Sequence, residues 1–132
     1  MTFAAFQQQY DSLPTQKLDG YSASQFEGMS EVERERARSM LVEGAFREGD
    51  IFDLNGLRFI GNDTTVAQLA QATDAADRHG WRFDIIRWEV LFVLTSDHAW
   101  LLGLTRWLDD RDPAAQERAA TALQSHPLTP AF

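Results

Sequence analysis

Phe3, Phe6, Tyr10 and Leu13 recur three, four and three residues apart, which places four apolar side chains on one face of a short helix that Pro14 stops. Residues 15 to 29 hold Gly20, Ser22, Ser24 and Gly28 with no sustained period and are expected to form a connecting loop. Ser30 and Glu33 have the spacing of a capping box, so a helix should open at Ser30 and run to about Glu48, with Val32, Met40, Leu41 and Ala45 inward and Gly49 as its stop. Asp50 can cap the next helix through Ile51, Leu54, Leu57 and Phe59-Ile60 to a turn at Gly61-Asn62-Asp63. A partner helix is predicted from Thr64 to about Asp77, ended by His79-Gly80, and a turn this short implies antiparallel packing.

A second hairpin repeats the scheme. Phe83 to Leu94, apolar nearly all round, is expected at the centre of the core; after Thr95-Ser96-Asp97 a helix runs from His98 to about Leu108. Asp112 with Pro113 at the first helical position opens a final helix carrying Ala119, Ala120 and Leu123. Laying Asp50 on Asp84 aligns Ile51 with Ile85, Leu54 with Trp88, Leu57 with Leu91 and Ile60 with Leu94, an offset of 34 residues. One helical hairpin per period of this size predicts a solenoid in which neighbouring units close each other's core. The expectation is an all-α chain of six or seven helices in one domain, 1–132, with a cap helix and loop over 1–29, helical repeats over 30–125 and a tail over 126–132.

Composition narrows what such a domain does. Twelve basic against 20 acidic residues give a net charge of −8, a field that repels phosphate backbones and anionic lipid, so neither nucleic acid nor a membrane is the expected partner. Cysteine is absent, which removes disulfides, thiolate metal sites and cysteine nucleophiles. The first ten residues lack the basic and apolar regions of a secretory signal, and Ile85 to Leu94 is interrupted by Arg87 and Glu89, so the chain reads as a cytoplasmic protein without a membrane span.

His79, His98 and His126 are scattered with no partner at helical spacing, and adjacent Asp97 and His98 point in different directions on a helix. Gly-rich phosphate cradles and nucleophile elbows are missing. Asp109, Asp110 and Asp112 lack the glycine and distal glutamate of a calcium loop and are better explained as helix capping. The sequence thus points to no enzyme, no metal and no cofactor.

Two runs carry a resemblance. Phe59-Ile60-Gly61-Asn62-Asp63 and Leu108-Asp109-Asp110-Arg111-Asp112-Pro113, the latter before Ala119-Ala120-Thr121-Ala122-Leu123, resemble the acidic turns and small-residue helices of HEAT-type repeats over about residues 46 to 125; the four tryptophans depart from the usual aliphatic filling. As a layout, with its Ser-Glu-Val-Glu-Arg-Glu-Arg-Ala helix, the chain is similar to the small HEAT-like immunity proteins of bacteria. That resemblance implies a short right-handed stack of antiparallel hairpins and a function of neutralising a cognate toxin by direct binding. Competing readings are a non-inhibitory adaptor or chaperone, and a HEAT-like DNA glycosylase, which would require a basic groove.

Trp81 and Trp88, and Trp100 and Trp107, are each seven residues apart and so lie along one helical stripe. Trp88 is expected in the core, whereas Trp100 and Trp107 lie at an arc edge, with Leu101 and Leu108 nearer its middle. In a HEAT-like stack the second helix of each pair lines the concave surface. This assigns a face bearing Asp74, Asp77, Trp100, Trp107, Asp109 and Asp110 to a basic protein partner, a toxin or effector domain, with tryptophan as anchor and carboxylates for steering.

Overall fold

The computed structural model describes residues 3–11 and 21–125, and there the chain is helical throughout, without a strand. Nine α-helices follow in order: α1 (Phe3–Tyr10), α2 (Ser24–Glu27), α3 (Glu31–Glu48), α4 (Ile51–Ile60), α5 (Asp63–Ala70), α6 (Thr73–His79), α7 (Trp81–Thr95), α8 (Leu102–Leu108) and α9 (Pro113–Ser125), with a 3-10 turn at His98–Leu101 leading into α8. The expected stop of the first helix at Pro14 and the tail from 126 lie outside the described residues.

Local chemistry sets the boundaries much as the sequence predicts. Ser30 accepts from the Glu33 N–H while Glu33 accepts from the Ser30 N–H, and α3 ends at Gly49, whose φ of 68° is a left-handed conformation that glycine adopts without strain. Asp50 caps α4 through the N–H groups of Phe52 and Asp53. Asp112 accepts from the Ala114 N–H at the start of α9.

Four expectations need correction. Val32 does not point inward but is 79% exposed. The buried stripe of α3 is Ala37, Leu41, Gly44 and Ala45, and at 100° per residue Val32 lies on the opposite side of the helix from it. The segment after Asn62 is two helices rather than one. The Leu69 carbonyl accepts from the Ala72 N–H, one residue short of the α-helical spacing, and from buried Arg87 Nη1 at 3.0 Å, which closes α5 before α6 begins. Within the expected loop, α2 forms, and Tyr21 and Phe26 pack around Phe6 with ring centroids 5.5 and 5.6 Å away. Those extra breaks raise the helix number above the expected six or seven.

Antiparallel α3 and α4 are in close register: Leu41 approaches Gly56, Gly44 approaches Asp53, and Arg38 Nε donates to the Ile60 carbonyl at 2.8 Å. Helices α4 and α7 run side by side in the same direction, since Ile51 lines a cavity with Trp81 and Ile86 while Gly61 abuts Leu94. Returning antiparallel to α7, α8 brings Gly103 against the Trp88 indole and Trp107 to Asp84. The main core centres on Phe6, Leu41, Leu54, Leu57, Leu69, Phe83, Val90 and Leu91, and a smaller one on Ile85, Leu101, Leu104, Ala119 and Ala122; Trp88 packs against both. No described helix is long and apolar enough to cross a membrane.

Candidate functional site

A carboxylate inside the core organises the tryptophans. Asp84, one turn into α7, is almost fully buried, as is Arg87 three residues on, and Asp84 Oδ1 accepts from Arg87 Nη2 at 2.7 Å and Nε at 3.1 Å. Asp84 Oδ2 accepts from two indoles, Trp88 Nε1 at 3.1 Å and Trp107 Nε1 at 2.7 Å. Four donors thus converge on one carboxylate, and Arg87 spends its remaining reach on Leu69, so the buried pair is hydrogen-bonded as a buried charge must be. Glu89, also buried, accepts from Arg118 Nη2 at 2.8 Å and ties α9 to α7. Arg87 and Glu89, which on the sequence only interrupt an apolar run, are therefore core ion-pair partners.

The predicted partner-binding residues fall into two groups. Trp100, Trp107, Asp109 and Asp110 come from the segment around α8. Trp100 stacks on Trp88 with centroids 5.9 Å apart, and Trp107 is held by Asp84 with the Arg106 guanidinium 4.7 Å over its ring. Both rings are half-buried, leaving part of each accessible beside exposed Asp109 and partly exposed Asp110. Asp74 and Asp77 are exposed on α6, which joins the same end of α7 through Gly80 that Trp107 reaches from α8. Leu101 is buried, as its place nearer the middle of the arc predicts. Leu108, the last residue of α8, is not: it is 37% exposed, and Leu102 is 64% exposed.

Several polar groups elsewhere have structural partners. Asp97 accepts from the Ala99 N–H, and the His98 ring lies 5.0 Å from Phe92. His79 Nε2 lies 2.7 Å from the Phe46 carbonyl, which also accepts from Arg78, so the last turn of α3 is closed by two groups from α6. In the acidic turn Asp110 accepts from the Asp112 N–H and Asp112 caps α9, the capping role expected of it. His126 lies outside the described residues. Among the described residues no three His, Asp or Glu side chains gather as a metal site would require.

Asp53 on α4 is a third buried carboxylate. It accepts from the Tyr21 hydroxyl at 2.8 Å, and burial, then the Asp53 charge and that hydrogen bond, push the Tyr21 pKa far above the usual tyrosine value. Tyr10 is raised as well, by burial first and then by Asp53. Neither Asp84 nor Asp53 stands out in the sequence as a buried carboxylate. The usable signal for the first was Asp84 and Arg87 at i, i+3 on a helix apolar nearly all round, a spacing at which two charges can pair internally. No protein family, curated protein or solved structure matches the chain, so the reading of this face rests on its own chemistry.

Proposed function

We propose that this chain is a protein-binding module, and within that class a bacterial immunity protein that neutralises a cognate toxin by occupying its active site or substrate surface in the cytoplasm. The observation that carries the reading is the fixed Trp107. Its indole N–H is anchored on a buried carboxylate, part of its ring stays accessible, and exposed Leu108 and Asp109 follow it directly. An aromatic already held in place loses little side-chain freedom on docking, which is the property of an interface anchor. Adjacent carboxylates on a chain of net charge −8 supply attraction for a basic toxin surface.

The fold reading that accompanies it is a short HEAT-like stack. In its favour, α4 and α7, which the 34-residue offset superposes, lie side by side and parallel, as corresponding helices of successive repeats do. The second helix of the first unit is split into α5 and α6, a departure from a regular repeat.

Titrating the chain against a toxin domain while following that toxin's own activity tests the function: inhibition should saturate at one chain per toxin. A complex in which the toxin stays active overturns the inhibitor reading and leaves an adaptor. Replacing Asp74, Asp77, Asp109 and Asp110 by Asn should slow association and flatten its salt dependence, whereas Trp107→Ala should speed dissociation and cost about 2 kcal/mol or more. Binding indifferent to both, or mapping to α3, removes the site assignment.

A further inference from the structure

On this acidic chain one concavity is edged by two arginines and lined by no carboxylate. Where α4, α7 and α9 meet, Ile51, Trp81 and Ile86 form an apolar floor, and Arg82 and Arg118 stand at the rim of a cavity of about 160 Å³. The floor is fixed: Trp81 Nε1 donates to Asp112 at 3.1 Å, and the Arg82 guanidinium lies 4.4 Å over the Trp81 ring. That stacked guanidinium has no hydrogen bond or ion pair among the described residues, so its donors are free. Arg118 gives one nitrogen to Glu89 and its side chain remains 40% exposed, which leaves further donors at the rim. Two carboxylates nearby are engaged, Glu89 by Arg118 and Asp112 by Trp81 and the α9 N-terminus. Seven residues beyond Ile51, on the same stripe of α4, Arg58 Nε is buried with no hydrogen-bond partner.

We infer that this cavity is a receptor site for an aromatic or branched apolar side chain of a partner protein flanked by a carboxylate. Size and charge decide the occupant. The space is below the several hundred Å³ of a cofactor pocket and near that of one benzene-sized group. A planar guanidinium lying on an aromatic wall presents its N–H edge to a carboxylate. The chain's net negative field opposes the approach of an acidic segment, but at physiological salt it is screened beyond about 8 Å, while contact with Arg82 and Arg118 is not. The site is distinct from the Trp107 face, and its test uses no toxin, so either assignment can fail alone.

The test is a titration of the intact chain with acetyl-Phe-Glu-amide, followed through the Trp81 indole N–H signal by NMR. A saturable shift with a dissociation constant on the order of 1 mM is expected. Acetyl-Phe-Gln-amide, which lacks the charge, and acetyl-Ala-Glu-amide, which lacks the ring, should each bind about fivefold more weakly, and Arg82→Gln should lose about the same factor for the Glu peptide alone. No saturable shift, or equal binding of the charged and neutral peptides, overturns the site. Phenylacetate binding more tightly than acetyl-Phe-Glu-amide overturns the choice of a protein segment in favour of a free small carboxylate.

Discussion

Removing the Asp84 carboxylate should be among the most damaging single changes in this protein. In Asp84→Ala the Arg87 guanidinium keeps its bond to the Leu69 carbonyl but loses two contacts of 2.7 and 3.1 Å in a place where neither side chain meets solvent. Breaking one side of a buried pair costs about 3 to 5 kcal/mol, because the remaining charge is left uncompensated. The indole N–H groups of Trp88 and Trp107 lose their acceptor as well, and being half-buried they recover part of it from water, adding about 0.5 to 1 kcal/mol each. The total, about 4 to 7 kcal/mol, is comparable with the whole stability of a small domain. Asp84→Asn keeps the shape and an acceptor oxygen and should lose about 2 to 3 kcal/mol. Urea unfolding followed by tryptophan fluorescence measures all of these. The decisive variant is Asp84→Leu with Arg87→Met: if uncompensated charge dominates, the double substitution regains at least 2 kcal/mol over Asp84→Ala. A loss below about 1 kcal/mol in Asp84→Ala, or a double variant no more stable than it, would refute the reasoning.

Gly103→Ala should lose about 1 to 3 kcal/mol and shift tryptophan emission, because a Cβ there would come within 2.2 Å of the Trp88 ring. The two tyrosines, Tyr10 and Tyr21, both titrate above the usual value of about 10 in the folded state. The folded chain therefore holds these protons more tightly than the unfolded one, so the stabilisation is complete below pH 10 and is lost as pH rises above it. Tyrosinate absorbance at pH 11 should rise when urea unfolds the protein, and Tyr21→Phe should make the alkaline loss of stability less steep; normal titration of both tyrosines in the folded state would contradict this. Ser30→Ala removes one half of the capping box on α3 and should cost about 1 kcal/mol in thermal or urea unfolding, with little change elsewhere.

What the sequence could and could not reveal follows from the range of the interactions. Caps at Ser30, Asp50 and Asp112 and the stop at Gly49 act within three or four residues, so spacing alone predicts them. Arg87 is a different case. Its partners are Asp84, one turn away, and the Leu69 carbonyl, 18 residues earlier, and that second bond closes the helix which the sequence ran on unbroken to Asp77. A helix end set by a side chain from another helix leaves no mark in its own residues. Asp53 and Tyr21, 32 positions apart, were illegible for the same reason. The tryptophans lie between these limits. Their seven-residue spacing announces a stripe, but what holds each ring lies on another helix, Asp84 for Trp107 and the Trp88 ring for Trp100.

The same physics links the core to the surface assigned to a partner. Three indole N–H groups end on carboxylates, Trp81 on Asp112 and both Trp88 and Trp107 on Asp84, so one ring at each candidate surface, Trp81 and Trp107, is held at its edge. Asp84 thereby fixes the α8 face, and Asp112, which also caps α9, fixes the floor of the α4–α7–α9 cavity. Loss of Asp84 should then release the Trp107 face at a large cost in stability, whereas loss of Asp112 should release the Trp81 floor and leave Trp107 in place. Because Asp112 is exposed, its substitution by Asn should leave most of the stability in place, which makes it the cleaner way to separate the surfaces. In Asp112→Asn the Trp81 indole signal should move and acetyl-Phe-Glu-amide binding should change, with the Trp107 signal unmoved. Movement of both indole signals together would mean that the two surfaces are one coupled unit rather than neighbours on a shared helix.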